Sequence, residues 1–177
     1  KSLNFFKQVN QRILTNEDNK TKTINIFLEE KPTGEIYASA GAGTSGASFG
    51  FGVKENNFLG NGIRLDTNAL ISTNQFKGKF SVTNPNFNNS DKSFYFSAEA
   101  TEIDNYKTFG YKTNKTGFRI GTNFEYLNDF YLGLNNSNFY ETIETDSTAS
   151  AQQQSQEGNY WDSFLKFDMN YDKRNQK

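Results

Sequence analysis

The chain has no cysteine and no histidine, and only one methionine, one tryptophan and two prolines in 177 residues. Zinc sites built on Cys or His, thiol nucleophiles, Ser-His-Asp triads and haem held through His or Cys all lack their parts. The lack of cysteine is neutral about compartment and would be safe in an oxidising one. No stretch approaches the run of about 20 apolar residues that a membrane helix needs. The opening Lys1-Ser2-Leu3-Asn4 carries neither a starting Met nor an apolar signal core, so the expectation is a mature, trimmed or fragmentary chain. The missing apolar run excludes helical spans only, because β-spans alternate and vanish from hydropathy averages. Charge of one sign is missing too. Nineteen Lys+Arg against 20 Asp+Glu leave −1, which offers no bulk attraction for nucleic acid.

What is present pulls two ways. A mean hydropathy of −0.81 and 34% hydrophobic residues point toward disorder or a very polar surface. Yet Phe 18, Tyr 9 and Trp 1 make 16% aromatics, and disordered chains are poor in rings. The length suits one domain with a sizeable core.

Composition shifts near Pro32. Before it, Ser2 to Phe6 reads as a helix end, Gln8 to Leu14 as a short strand, and Thr23 to Glu29 as a second strand with Ile24, Ile26 and Leu28 on one face. Thr15 to Lys22 is turn material between them. After Gly34 the period becomes 2. One face carries Ile36, Ala38, Ala40, Ala42, then Ala47, Phe49, Phe51, Val53, then Ile63, Leu65, Thr67, Ala69, Ile71. Phe76, Gly78, Phe80, Val82 follow, then Phe94, Phe96, Ala98, Ala100. Phe118 to Tyr126, Phe130 to Leu134 and Leu165 to Tyr171 complete eight sets.

The alternate positions are polar: Tyr37, Ser39 and Gly41; Arg64, Asp66 and Asn68; Lys77 and Lys79; Ser97 and Glu99; Arg119 and Glu125; Lys166 and Asp168. In a soluble sandwich that face meets water and the apolar face meets a second sheet. In a barrel it lines a wet lumen and the apolar face meets lipid. Connection lengths lean toward the barrel. The two longest expected connections, Ile103 to Lys115 and Thr142 to Tyr160, fall on one side together with the short Gly43 to Gly46 and Ser72 to Gln75, and the shorter Asn56 to Asn61, Asn84 to Asp91 and Leu127 to Asp129 fall on the other. Rings at Phe58, Phe87, Tyr126 and Phe130 flank the short turns, and Tyr106, Phe109, Tyr111, Tyr140, Tyr160 and Trp161 the long ones, as two interfacial girdles would.

Few residues offer chemistry. Gly41-Ala42-Gly43-Thr44-Ser45-Gly46 matches G-x-G-x-x-G, but the alternation from Ala47 to Val53 is that of a strand, not of the helix N-terminus that holds pyrophosphate. A hairpin turn is expected there. Glu99 with Glu125, and Asp66 with Asp168, could share a face, yet charge balance against Lys77, Lys79 and Arg119 explains them better than acid–base catalysis. Ser147 to Gln156 reads as a low-complexity, solvated loop. No enzyme, cofactor or metal site is expected.

Four motifs stand in order: Glu29-Glu30-Lys31-Pro32-Thr33-Gly34, Glu55-Asn56-Asn57-Phe58-Leu59-Gly60-Asn61-Gly62, Ser81-Val82-Thr83-Asn84-Pro85-Asn86-Phe87, and Tyr171-Asp172-Lys173-Arg174-Asn175. In this order and spacing the chain resembles the bacterial surface-antigen family of BamA-like outer-membrane assembly factors. The resemblance implies a mainly β fold, an antiparallel up-and-down transmembrane β-barrel of about eight strands, half of the family barrel, over 32–177. Residues 1–31 would be the C-terminal remnant of an α/β POTRA domain in the periplasm. Asn57, Phe58, Leu59 and Gly60 would form the first periplasmic turn, and Asn84, Pro85 and Phe87 the second. Phe49, Phe51, Phe80, Phe94, Phe96, Phe118 and Phe124 would face lipid.

The implied function is folding and insertion of β-barrel proteins into the bacterial outer membrane. The implied partners are unfolded barrel clients, accessory lipoproteins of an assembly complex and outer-membrane lipid, with no nucleic acid. In the family, strand one pairs weakly with the last strand and forms a lateral gate. Here Glu35, Ile36, Tyr37, Ala38, Ser39, Ala40 and Gly41 would be that edge. Its Ala, Ser and Gly side chains offer little cross-strand packing, although small residues in a barrel strand also relieve crowding. A polypeptide-translocating barrel of the two-partner secretion or translocation-and-assembly type, and a soluble β-sandwich adhesin, are the other readings.

Overall fold

The computed structural model describes residues 5–16, 21–43 and 46–173. The chain divides into two compact units, Lys1–Gly34 and Glu35–Lys177. The described part of the first is a hairpin, β1 (Phe6–Asn16) against β2 (Thr21–Glu30), with Val9 opposite Leu28 and Ile13 opposite Ile24. The expected helix end is not found at Phe6. That residue opens β1 and pairs with Glu30, while the Phe5 carbonyl accepts the Lys31 N–H at 3.1 Å; residues 1–4 lie outside the described set. Ladder hydrogen bonds on offer from β2 outweigh a helical preference carried by so few residues.

The second unit is one antiparallel sheet in which every strand neighbours the next in sequence: β3 (Gly34–Gly43), β4 (Gly46–Phe58), β5 (Ile63–Ser72), β6 (Gln75–Asn84), β7 (Lys92–Asn105), β8 (Tyr111–Leu127), β9 (Phe130–Thr145) and β10 (Gly158–Tyr171). Two one-turn helices, α1 (Tyr106–Phe109) and α2 (Ala151–Gln154), lie in its connections. After Gly46 the backbone continues as a strand rather than a helix, so the glycine fingerprint has no anion-binding terminus behind it.

Two connections are shorter than the sequence suggests. Between Ile103 and Lys115 the ladder continues, with Ile103 opposite Thr113 and Asn105 opposite Tyr111, which leaves α1 and Gly110 as the turn. Likewise β9 runs on through Asn135-Asn136-Ser137-Asn138 to Thr145. Asn-rich runs favour turns in isolation. Here β8 and β10 flank β9 and satisfy its backbone on both sides, so the ladder wins. The Ser147 to Gln156 segment is not a featureless loop either. The Ser150 hydroxyl accepts the Gln153 N–H while the Gln153 side chain returns to the Ser150 N–H, a capping box that starts α2.

Strand length carries a physical message. A tilted β-strand crosses the hydrocarbon in about 9–11 residues, whereas β8 has 17 and β9 has 16. Their excess lies toward the α1 and α2 connections, where Glu102, Lys112 and Glu144 replace the rings on the apolar face. Lys112 and Glu102 are paired at 2.8 Å there.

Candidate functional site

Residues directly opposite in an antiparallel ladder share a face, so the registers sort every side chain. Phe49 lies opposite Ile71, Ile71 opposite Phe76, Phe80 opposite Ala98, and Ala98 opposite Phe118. Phe96 meets Ile120, and Phe94 meets Thr122, which meets Leu134 and so Phe167. Phe124 stands opposite Lys92 and Leu132. All seven phenylalanines expected to meet lipid therefore sit on one face. It has no protein cover within this unit: Phe49 is 61% exposed, Phe51 56% and Met169 75%.

Along β8 and β9 the polar face is the more shielded one. Ser97 is fully buried and hydrogen-bonded to the Tyr95 hydroxyl at 2.7 Å. Arg119 donates to both oxygens of Glu99 at 3.0 and 2.9 Å, the bidentate geometry that a guanidinium fork favours. Lys115 pairs with Glu141 at 3.0 Å and Asp162 at 3.6 Å. The Phe139 ring is 4% exposed, with Lys115 and Arg119 at 5.3 and 5.0 Å from its centroid. The cations of β8 sit between carboxylates of β7, β9 and β10, so that charges are matched by neighbours. Of the carboxylates considered for chemistry, Glu125 accepts the Asp129 N–H at 2.8 Å, Asp66 the Asn68 amide at 3.1 Å, and Asp168 the Asn135 amide at 2.9 Å. Each is occupied locally, and no two converge.

Both turn motifs are built around an asparagine. The Asn57 carbonyl accepts the Gly60 N–H at 2.9 Å and its side chain the Gly62 N–H at 2.7 Å, closing the turn with Leu59 at φ 55°. Leu59 is 78% exposed beside Phe58. Asn84 ends β6 and takes the Asn86 N–H at 3.1 Å; Pro85 follows, where no ladder donor is needed, and the Phe87 ring packs on Phe94 at 5.2 Å. In the closing motif, Asp172 donates its N–H to the Asp129 carbonyl at 2.8 Å; Arg174 and Asn175 lie outside the described residues.

The Glu35 to Gly41 segment forms most of β3, which stands at one end of the sheet. Its apolar-face side chains are Ile36, Ala38 and Ala40, with Ile36 86% exposed. On the other face the Tyr37 ring covers Gly52, the Ser39 hydroxyl faces Gly50, and Ser48 of β4 faces Gly41.

Three placements were not expected. Tyr111 and Tyr160 belong to the polar face, Tyr111 opposite Asn105 and Tyr160 opposite Glu141, so the outward ring pair at that end is Tyr140 with Trp161 at 6.4 Å. Phe139 sits among charges. Asn136, Asn138 and Ser163 interrupt the apolar face and satisfy one another, with Ser163 donating to Asn138 at 2.9 Å and Asn136 to the Phe164 carbonyl at 3.3 Å. Extending the period-2 pattern to the ends of β8, β9 and β10 places these residues on their observed faces.

A single up-and-down sheet with bare rings on one face and ion pairs on the other is the wall of a transmembrane β-barrel; a soluble sandwich buries the rings instead. The Omp85 superfamily domain matches residues 57–177, and the chain belongs to that superfamily. The fold is similar to that of BamA from Haemophilus ducreyi lacking POTRA domains 1–3, with a TM-score of 0.66 at 20% identity over 94% of this chain and 34% of that one. The chain thus carries an antiparallel part-barrel of the Omp85 superfamily, and it spans about a third of the length of that relative.

Proposed function

We propose that β3 is the templating strand of an insertase that folds β-barrel clients into the bacterial outer membrane. One observation carries this reading. β3 ends the sheet, and a strand in that position offers a row of backbone N–H and C=O groups to which another strand can add. Main-chain pairing gives affinity with little dependence on client sequence, which suits a machine with many clients. The small side chains of Ala38, Ser39, Ala40 and Gly41 lower the cost of exchanging one partner strand for another.

The remaining parts support the same reading. Phe49 and Phe51 on β4 would anchor the seam in lipid, and the Asn57 and Asn84 turns would hold its periplasmic side. The Val9, Ile13, Ile24, Ile26 and Leu28 face of the β1–β2 hairpin is more than half exposed. Two strands alone are marginal, so that face favours a larger α/β module such as a periplasmic POTRA domain. Accessory lipoproteins and outer-membrane lipid complete the expected partners. The role needs no covalent chemistry and no cofactor.

The test is a disulfide lock. Cysteines placed in β3 and in the closing strand of the full-length protein should stop client insertion when oxidised and release it when reduced. Undiminished insertion by the locked protein would contradict the proposal.

A further inference from the structure

We propose that the Tyr37 ring seated on Gly52 pins the leading half of the edge strand to β4 and sets its register, while the Ala40 to Gly43 half, held by backbone pairing and by its short connection to Gly46, stays compliant; this rests on the templating role of β3. The contacts step by two residues along both chains, Tyr37 on Gly52, Ser39 against Gly50 and Gly41 against Ser48. That stepping fixes an antiparallel register on the polar face. Of the three contacts only the first involves a large side chain. On the apolar face β3 offers Ala38, Ala40 and Ala42, whose methyls bury little against a neighbour.

The side-chain hold on β3 is therefore concentrated at one ring near its start, while its other end is tied to β4 by the connection from Gly43 to Gly46. A Cβ at position 52 would overlap the Tyr37 ring, so glycine is what lets the ring lie flat across the neighbouring strand. An aromatic covering a cross-strand glycine restores packing that the glycine lacks and pins the register. Beyond the ring the β3 pairing has only hydroxyls and methyls beside the backbone. A templating strand needs both properties: a fixed start that sets the register of the incoming client, and a compliant remainder that can bend away. Sheet stabilisation by one such pair is small enough to leave β3 exchangeable.

Hydrogen exchange of the full-length protein in phospholipid nanodiscs tests this directly. In the wild type, amides from Ala40 to Gly43 should exchange faster than those of Tyr37 and Ala38. Gly52→Ala should speed exchange at Tyr37 and Ala38 by roughly two- to fivefold, the range that loss of one cross-strand pair implies. Tyr37→Phe keeps the ring on Gly52 and removes only the hydroxyl beside it, so it should exchange far more slowly than Gly52→Ala. The swap of Tyr37→Gly with Gly52→Tyr puts the ring back across the same pair and should restore slow exchange. Uniform exchange along β3, or a swap that exchanges as fast as Gly52→Ala, would overturn the proposal. Client insertion measured on the same proteins separates the two readings: faster exchange with unchanged insertion leaves the pin standing and removes the templating role.

Discussion

Phe139 lies across Gly117, its direct partner in the β8–β9 ladder, and is the most shielded large side chain of the sheet although it stands on the charged face. A Cβ at Gly117 would strike both the ring and the Asn138 carbonyl. The ring presents its π-system to Lys115 and Arg119, so a hydrophobic group and two cations share one site. Phe139→Ala should cost about 3–5 kcal/mol, and Gly117→Val should destabilise through the same contact. The loss is read from the unfolding midpoint of the full-length barrel in detergent.

Arg119 and Glu99 are partly exposed, at 37% and 25% of their side-chain surface, so their attraction is screened but not lost. A double-mutant cycle with Arg119→Met and Glu99→Gln should give a coupling of about 1 kcal/mol. The coupling should shrink as salt is raised from low to physiological strength.

The two faces of β6 should respond oppositely to charge. Phe80→Arg puts a cation into the lipid face and should cost about 2–4 kcal/mol if the site lies near the midplane. Lys77→Ser, on the polar face of the same strand, should stay within about 0.5 kcal/mol. Folding yields into phospholipid vesicles, followed by heat-modifiable migration, compare them.

Asp146 caps the turn before α2. Its carboxylate takes the Thr148 hydroxyl at 2.6 Å and the Thr148 N–H at 2.7 Å, and these bonds hold its pKa below the ordinary carboxylate value. A depressed pKa means that the turn is stabilised while the group is ionised. That stability is full above the unfolded value of about 3.9 and is lost as pH falls through the lower folded value. Local hydrogen exchange over 146–150 should be flat in its opening equilibrium from neutral pH down to about pH 5 and rise only below the unfolded value. Asp146→Asn should remove most of that acid response.

The fold was legible because period 2 runs almost unbroken from Ile36 to Tyr171, and a pleated strand has no other way to place its side chains. Strand ends were less legible. Asn135 to Asn138 carries turn-forming residues, and only the flanking β8 and β10 show that its backbone is needed for pairing. The girdle placements of Tyr111 and Tyr160 failed with those ends, and Phe139 had no assigned face at all, since a ring near an expected loop has no parity until its strand is extended through it. The turn motifs were visible as residues, but the role of Asn57 as the acceptor that closes its turn required geometry. The Tyr37–Gly52 contact was hidden for a related reason: alternation names the face of each residue, while only register names its neighbour.

Templating by β3 requires that a client strand add to it in a fixed register. Single cysteines at Glu35, Tyr37, Ser39 and Gly41 of the full-length protein, each tested against a cysteine scan of one strand in a client arrested during insertion, measure that directly. Disulfide adducts should form whose best client partner moves by two residues for each two-residue step along β3. Adducts without a register, or none to β3 while the client is still inserted, would contradict it.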